Sequence, residues 1–214
     1  MKRVVIIGAG GHAREVAEIL RACSHDTAVL GFVDDQPELE GKIINGLPIL
    51  GGWSWFHSAD MAEVAVICAV GSPEARRNLA LRATESGLSF CNAVSPLAYV
   101  SPNARIGQGV MVFPNAVIST DCALGDHTII NVASTVSHDT ELGSFSTLNP
   151  GVHVAGNVSI GEGCYLGVGA SVIHGISVGA WSMVGGGAIV TGDLPANVTA
   201  VGVPAKVIKS NKKT

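Results

Sequence analysis

Histidine is the side chain best suited to exchange a proton near neutral pH. Four lie in the second half of the chain: His127, His138, His153 and His174. His138 alone among them precedes a carboxylate, Asp139, and it stands at an outward place in its repeat. A second chemical feature lies near the start, where Gly8-x-Gly10-x-x-Ala13 follows an apolar run and opens a helical stretch. Two glycines let a backbone approach a phosphate, and the helix behind them offers free N–H groups and a positive dipole. Asp34 and Asp35 end the next apolar run, where an acid gripping a ribose would stand.

The elements that must carry these residues differ between the two halves. From Val94 to Val190 an aliphatic residue falls on every sixth position, seventeen times without exception. Four places after each stands a small or apolar residue. Neither the 3.6 period of a helix nor the alternation of a flat strand fits this; a solenoid with one short strand and one corner per repeat does. Gly107, Gly125, Gly143, Gly161 and Gly179 recur every eighteen residues, so three hexads make one coil. Each should stack over the last, where a side chain would crowd the corner.

The first ninety residues read as strands alternating with helices, hence a parallel sheet of doubly wound type. The expected strands are Val4–Ile7, Ala28–Val33 and Val64–Val70, with helices from about Ala13 to Cys23 and from Pro73 to about Ser86. Ser72 is the expected cap of the latter and Gly87 its stop. The stretch Gly41–Gly52 reads as loop. Three to four strands suffice for a mononucleotide and hardly for a dinucleotide, which favours a nucleotide-sugar over NAD. Domain limits of 1–92 and 93–214 follow.

The chain has 214 residues, 47% hydrophobic and only 14% charged, with net charge −4. So few charges suggest that part of the exterior is buried against other subunits. Without a basic run, nucleic acid is not an expected partner. The five cysteines show no paired spacing; Cys122 and Cys164 occupy small-residue corners as core filler. A reducing cytoplasm is the simplest home, no metal is expected, and no apolar window is long enough to span a membrane.

The GAGGH turn, the Phe32-Val33-Asp34-Asp35 strand end, His138 and the closing Gly202-Val203-Pro204-Ala205-Lys206 together resemble the bacterial sugar O/N-acyltransferases of the sialic acid O-acetyltransferase type. Members of that family are similar to N-acetyltransferases of UDP-4-amino-sugars, and the resemblance covers the whole chain. It implies an α/β N-terminal Rossmann-like domain followed by a left-handed parallel β-helix, a hexapeptide-repeat solenoid, with three chains side by side. It further implies acetyl-CoA as co-substrate and a nucleotide-sugar, most simply UDP-linked, as acceptor. Gly10, Gly11 and His12 would face the sugar phosphate, and Asp34 and Asp35 the base or ribose. His138 would be the general base and Asp139 its orienting acid, shorter than the family's usual Glu. Asn131 matches the residue beside the sugar. Thr147 stands where family members often carry a cofactor-contacting histidine. Gly156 matches the backbone donor to the thioester carbonyl, and Gly185 and Gly186 the bare surface that admits the pantetheine arm. His153 and His174 are expected to be structural or interfacial.

Three rivals stand beside this reading, and the spacing of the histidines argues against the first. A zinc-dependent carbonic anhydrase built on the same repeat needs two histidines five positions apart, and no coil histidine has such a partner. An O-acetyltransferase of sialic acid, or an N-acetyltransferase of a GDP-amino-sugar, would use the same base. A scaffold that binds a nucleotide-sugar without catalysis would keep the fold and not need His138.

Overall fold

The computed structural model describes residues 2–23, 27–58, 61 and 63–211. The chain divides into two compact units, Met1–Ser95 and Pro96–Thr214.

In the first unit, β1 (Lys2–Ile7) leads through the glycine turn into α1 (Gly11–Cys23) and β2 (Thr27–Val33). Next come β3 (Ile43–Ile44), β4 (Leu47–Gly51), the short α2 (Trp55–Ser58), β5 (Val64–Cys68), α3 (Pro73–Glu85) and β6 (Ser89–Phe90). The sheet order is β3-β4-β2-β1-β5-β6, with every pair parallel except the β3–β4 hairpin. Val4 to Ile7 and Val64 to Cys68 are all buried, as continuous apolar strands covered on both faces should be.

The sheet is thus larger than the three to four strands the sequence suggested. Of the strands not named from the sequence, β3 and β4 lie in the stretch read as loop and β6 forms the opposite edge of the sheet. Asn45 (φ 48°) and Gly46 (φ 74°) form the two-residue β3–β4 turn, the Asn-Gly pair that matches strand twist. The α3 boundaries agree with the sequence reading: the Ser72 hydroxyl accepts from the Ala75 N–H at 3.3 Å, and Gly87 (φ 72°) follows the helix.

The second unit is a parallel β-helix. Two-residue strands stack with a period of eighteen, as in Ile129↔Thr147↔Tyr165↔Met183 on one face. The second face runs Tyr99↔Val117↔Thr135↔His153↔Ser171↔Ile189. The third carries Arg105↔Ala123↔Glu141↔Ser159↔Ser177. Of the seventeen periodic aliphatics, the fourteen from Val112 to Val190 are buried and the first three are half-buried. An antiparallel pair, Val198–Val201 with Lys206–Ser210, ends the stack.

Both corner rules have a physical basis. A Cβ on Gly161 would come 2.5 Å from the Ala180 backbone nitrogen, and one on Gly125 2.5 Å from that of Ser144. Only glycine fits under the next coil there. At another corner of the coil the turn residue adopts the left-handed region: Asp121, Asp139 and Asn157 at φ 58°, 56° and 54°, then Gly175 at 74°. Asp and Asn tolerate that region better than other side chains. Cys122 and Cys164 fill corners, with Sγ 3.1 Å from Ser137 O and 3.2 Å from Gly179 O.

Candidate active site

His138 sits at the corner after the strand Thr135–Val136. Its Nδ1 lies 2.8 Å from Asp139 Oδ2, and both side chains are more than half exposed. The left-handed backbone of Asp139 turns its short carboxylate back onto the preceding imidazole, so Asp reaches without the extra methylene of Glu. With Nδ1 engaged, Nε2 is the nitrogen free for a substrate proton.

That edge of the ring rests on Gly156. A Cβ there would meet His138 Cε1 and Nε2 at 2.6 Å, so the imidazole packs against bare backbone. Gly156 is one coil beyond His138, and His174 one coil beyond Gly156. Backbone bonds tie the column: Asn157 N–H to His138 O at 2.9 Å and Gly175 N–H to Gly156 O at 3.1 Å. The His138 and His174 rings lie 6.4 Å apart between centroids, tilted by 45°. The sequence reading left His174 outside the site, although its spacing of thirty-six from His138 is two whole coils.

The remaining coil residues fall elsewhere. Asn131 follows the strand Ile129–Ile130 on a different corner, where Oδ1 accepts the Val132 N–H at 2.7 Å. Gly185 and Gly186 lie three coils further along that same corner, after Met183–Val184. Thr147 is buried within the strand Thr147–Leu148. Within one chain, His138, Asp139 and Gly156 are brought together, and Asn131, Thr147, Gly185 and Gly186 are not brought to them. His153 bonds Thr135 Oγ1 at 3.0 Å, and buried His127 stacks on Phe145 at 5.2 Å.

In the first unit the chain order reverses between β1 and β5, and a crevice at the carboxyl ends of these strands is where such sheets bind ligands. Gly8 (φ 100°) turns the chain there, and a Cβ on it would press Val70 at 3.1 Å. Gly10 has open space where its Cβ would be, as a backbone that approaches a phosphate needs. Ala13, in the last place of the motif, is fully buried.

His12 begins α1. Burial first, then the nearby Arg76 guanidinium, lowers its pKa to about 4, so it is neutral at physiological pH. Arg76 is itself fully buried and donates to the carbonyls of Val70 at 2.8 Å and Gly71 at 3.0 Å. Burial lowers its pKa to about 9, which still leaves it charged at neutral pH. It fixes the β5 side of the crevice. No sequence pattern marks it, because its surface-helix spacing gives no sign of burial.

Asp34 closes the glycine turn: Oδ2 accepts the Ala9 N–H at 2.9 Å and Oδ1 the Gln36 N–H at 3.0 Å. Asp35 accepts the Trp53 N–H at 2.7 Å and pairs with Arg82 at 3.1 Å. The Trp53 N–H, seconded by Arg82, holds its carboxyl below the usual range. Arg82 stacks over the Trp53 ring at 4.0 Å. Sequence reasoning found the two acids and missed Trp53 and Arg82, which lie 18 and 47 residues away.

Among the described residues, no group of three or more His, Cys, Asp or Glu is placed to hold a metal ion, and no helix is long and apolar enough to cross a membrane.

The chain thus joins a tethered imidazole on a β-helix corner to an α/β unit with a glycine turn at its sheet switch point. Residues 3–83 match the family described as the PglD N-terminal domain. PerB from Caulobacter crescentus, solved in complex with CoA and GDP-perosamine, is 40% identical with a TM-score of 0.90, covering 98% of each chain. The acetyltransferase domain of PglB from Neisseria gonorrhoeae, solved with acetyl coenzyme A, is 34% identical with a TM-score of 0.90, over 97% of this chain and 99% of that one. UDP-N-acetylbacillosamine N-acetyltransferase of Bacillus subtilis is 35% identical over 121 residues, 52% of this chain. That match spans about half the length of the Bacillus enzyme (51%). The chain belongs to the family of hexapeptide-repeat sugar acyltransferases.

Proposed function

We propose that this protein transfers acetyl from acetyl-CoA to the amine of a nucleotide-linked amino-sugar, with His138 as general base. The observation that carries the reading is the 2.8 Å bond from His138 Nδ1 to Asp139, which leaves Nε2 directed over Gly156. His138 Nε2 takes the amine proton as the nitrogen attacks the thioester carbon. Asp139 holds the ring and stabilises the imidazolium. The Gly156 backbone N–H faces the developing oxyanion. His138 then returns its proton to the departing sulfur, and CoA leaves as the thiol. General-base help of this kind contributes about 10² to 10⁴ in rate.

The first unit would hold the nucleotide-sugar, its phosphates on Gly10, Gly11 and His12, and its base or ribose near Asp35. Asp34 supports that site by fixing the turn. The nucleotide is UDP or GDP. The UDP-sugar expectation is supported by the Bacillus relative, aligned over half its length, and the GDP reading by PerB with its bound GDP-perosamine, aligned over 98%.

We further infer a left-handed coil and a cytoplasmic homotrimer. The trimer is supported by the separation of the candidate residues: the base column and the Asn131–Gly185–Gly186 corner lie on different edges of one prism. A neighbouring copy can set one edge against the other. The second corner is also apolar, with Val132 and Val168 exposed at 39% and 62%.

The test is acetyl transfer from acetyl-CoA across a panel of UDP- and GDP-linked amino-sugars and free sialic acid, read as free thiol and as product mass. One nucleotide-linked amino-sugar acetylated far faster than the rest supports the reading. Acetylation of sialic acid alone would move the assignment to O-transfer, and no transfer to any member would overturn it.

A further inference from the structure

The column that carries His138 holds a second imidazole, His174. His138, Gly156 and His174 occupy the same corner place in three successive coils. The middle place has no side chain, and the His138 ring leans over the Gly156 backbone; the gap between the two rings forms a slot beside it. At 6.4 Å between centroids the rings are too far apart to bond each other. An atom between them can still lie within hydrogen-bond reach of both. His138 turns its Nε2 edge towards this slot, since that is the edge a Cβ on Gly156 would strike. A proton received at Nε2 is therefore received beside His174.

We propose that His174 is a second catalytic residue, which donates an imidazole N–H to the carbonyl oxygen of the acyl group as it becomes an oxyanion. The inference rests on the acetyl-transfer reading. In the step concerned, the amine nitrogen bonds to the carbonyl carbon and the C=O π pair moves onto oxygen. That oxygen accepts from the Gly156 N–H and from His174, while the amine proton passes to His138 Nε2. When the C–O double bond re-forms, the C–S bond breaks and His138 gives its proton to sulfur. His174 exchanges no proton; it supplies a donor aimed where charge develops, from a place the repeat fixes.

This role differs from that of an interfacial or packing histidine. Its benefit arises only in the transition state, so its loss lowers kcat and leaves the Michaelis constants alone. His174→Phe keeps an aromatic ring and removes the donor, whereas His174→Gln keeps an N–H. The experiment measures kcat and KM for both variants, with His138→Ala and the wild type alongside, using the acceptor found in the panel. The expected result is a 10- to 100-fold lower kcat for His174→Phe, with KM for acetyl-CoA within about twofold, and partial recovery in His174→Gln. Wild-type kcat in His174→Phe would overturn the inference while a dead His138→Ala leaves the general base standing. Equal losses in the Phe and Gln variants, or a raised KM with unchanged kcat, would also overturn it, since both describe a contact without donation. A wild type inactive on every acceptor would overturn the function reading and this inference together.

Discussion

Replacing Gly156 with alanine separates catalysis from folding. Its φ is not in the left-handed region, so the backbone accepts alanine, but the new methyl would lie 2.6 Å from His138 Nε2 and Cε1. Ordinary contact begins at 3.4 Å, so the imidazole must retreat by at least 3.4 − 2.6 = 0.8 Å. The ring is more than half exposed and can swing towards water. The stability cost is therefore that of an off-rotamer side chain, about 1 kcal/mol. The catalytic cost is larger, because a misplacement of about 1 Å can lower the rate roughly 10²-fold. Gly161→Ala is the control. Its methyl would meet the Ala180 backbone at 2.5–2.7 Å, which no side-chain rotation relieves. Overpacking of that kind costs about 2 kcal/mol, or about 4–8 °C in Tm. Free-thiol release and thermal melts of both variants form the assay. We expect Gly156→Ala to lose about 10² in kcat with Tm lowered by no more than about 4 °C. Gly161→Ala should lose Tm and keep most of its kcat while folded. A wild-type kcat in Gly156→Ala would refute the placement of His138 Nε2 over this glycine as the reacting edge.

Other outcomes follow from the same geometry. Asp139→Asn keeps a residue that tolerates φ 56° and removes the charge beside His138, so kcat should fall roughly tenfold with Tm unchanged; Asp139→Ala should lower Tm as well, by the 1–2 kcal/mol of a left-handed alanine. His12 titrates near 4 in the fold against 6.5 in the unfolded chain, so the unfolded chain binds more protons between these values. Its contribution to stability is complete above about pH 6.5 and is lost as pH falls towards 4, by up to about 3 kcal/mol. Melts of His12→Gln over that range should show a shallower loss than the wild type. Ser72→Ala removes the hydroxyl that caps α3 and should cost about 1 kcal/mol, or 2–4 °C, by the same melts.

The β-helix was legible in the sequence because its interior admits one aliphatic per face per coil, so the chain writes its own period. The eighteen-residue glycines were legible for the related reason that the next coil's backbone takes the space of a Cβ. The β3–β4 hairpin carried a readable sign in Asn45-Gly46, masked by the glycines and prolines around it. Arg76, Trp53 and Arg82 carried none, since their places depend on which loops the sheet brings together. His174 lies between these cases. Its partner is set by coil arithmetic, but the meaning of that arithmetic depends on Gly156 leaving the slot open.

The most direct test of the central claim is the kcat of His138→Ala for acetyl transfer to the best nucleotide-linked amino-sugar, with its melting temperature measured beside it. A fall of about 10² to 10⁴ at unchanged Tm is the predicted result. A folded His138→Ala protein that turns over at the wild-type rate would contradict the account.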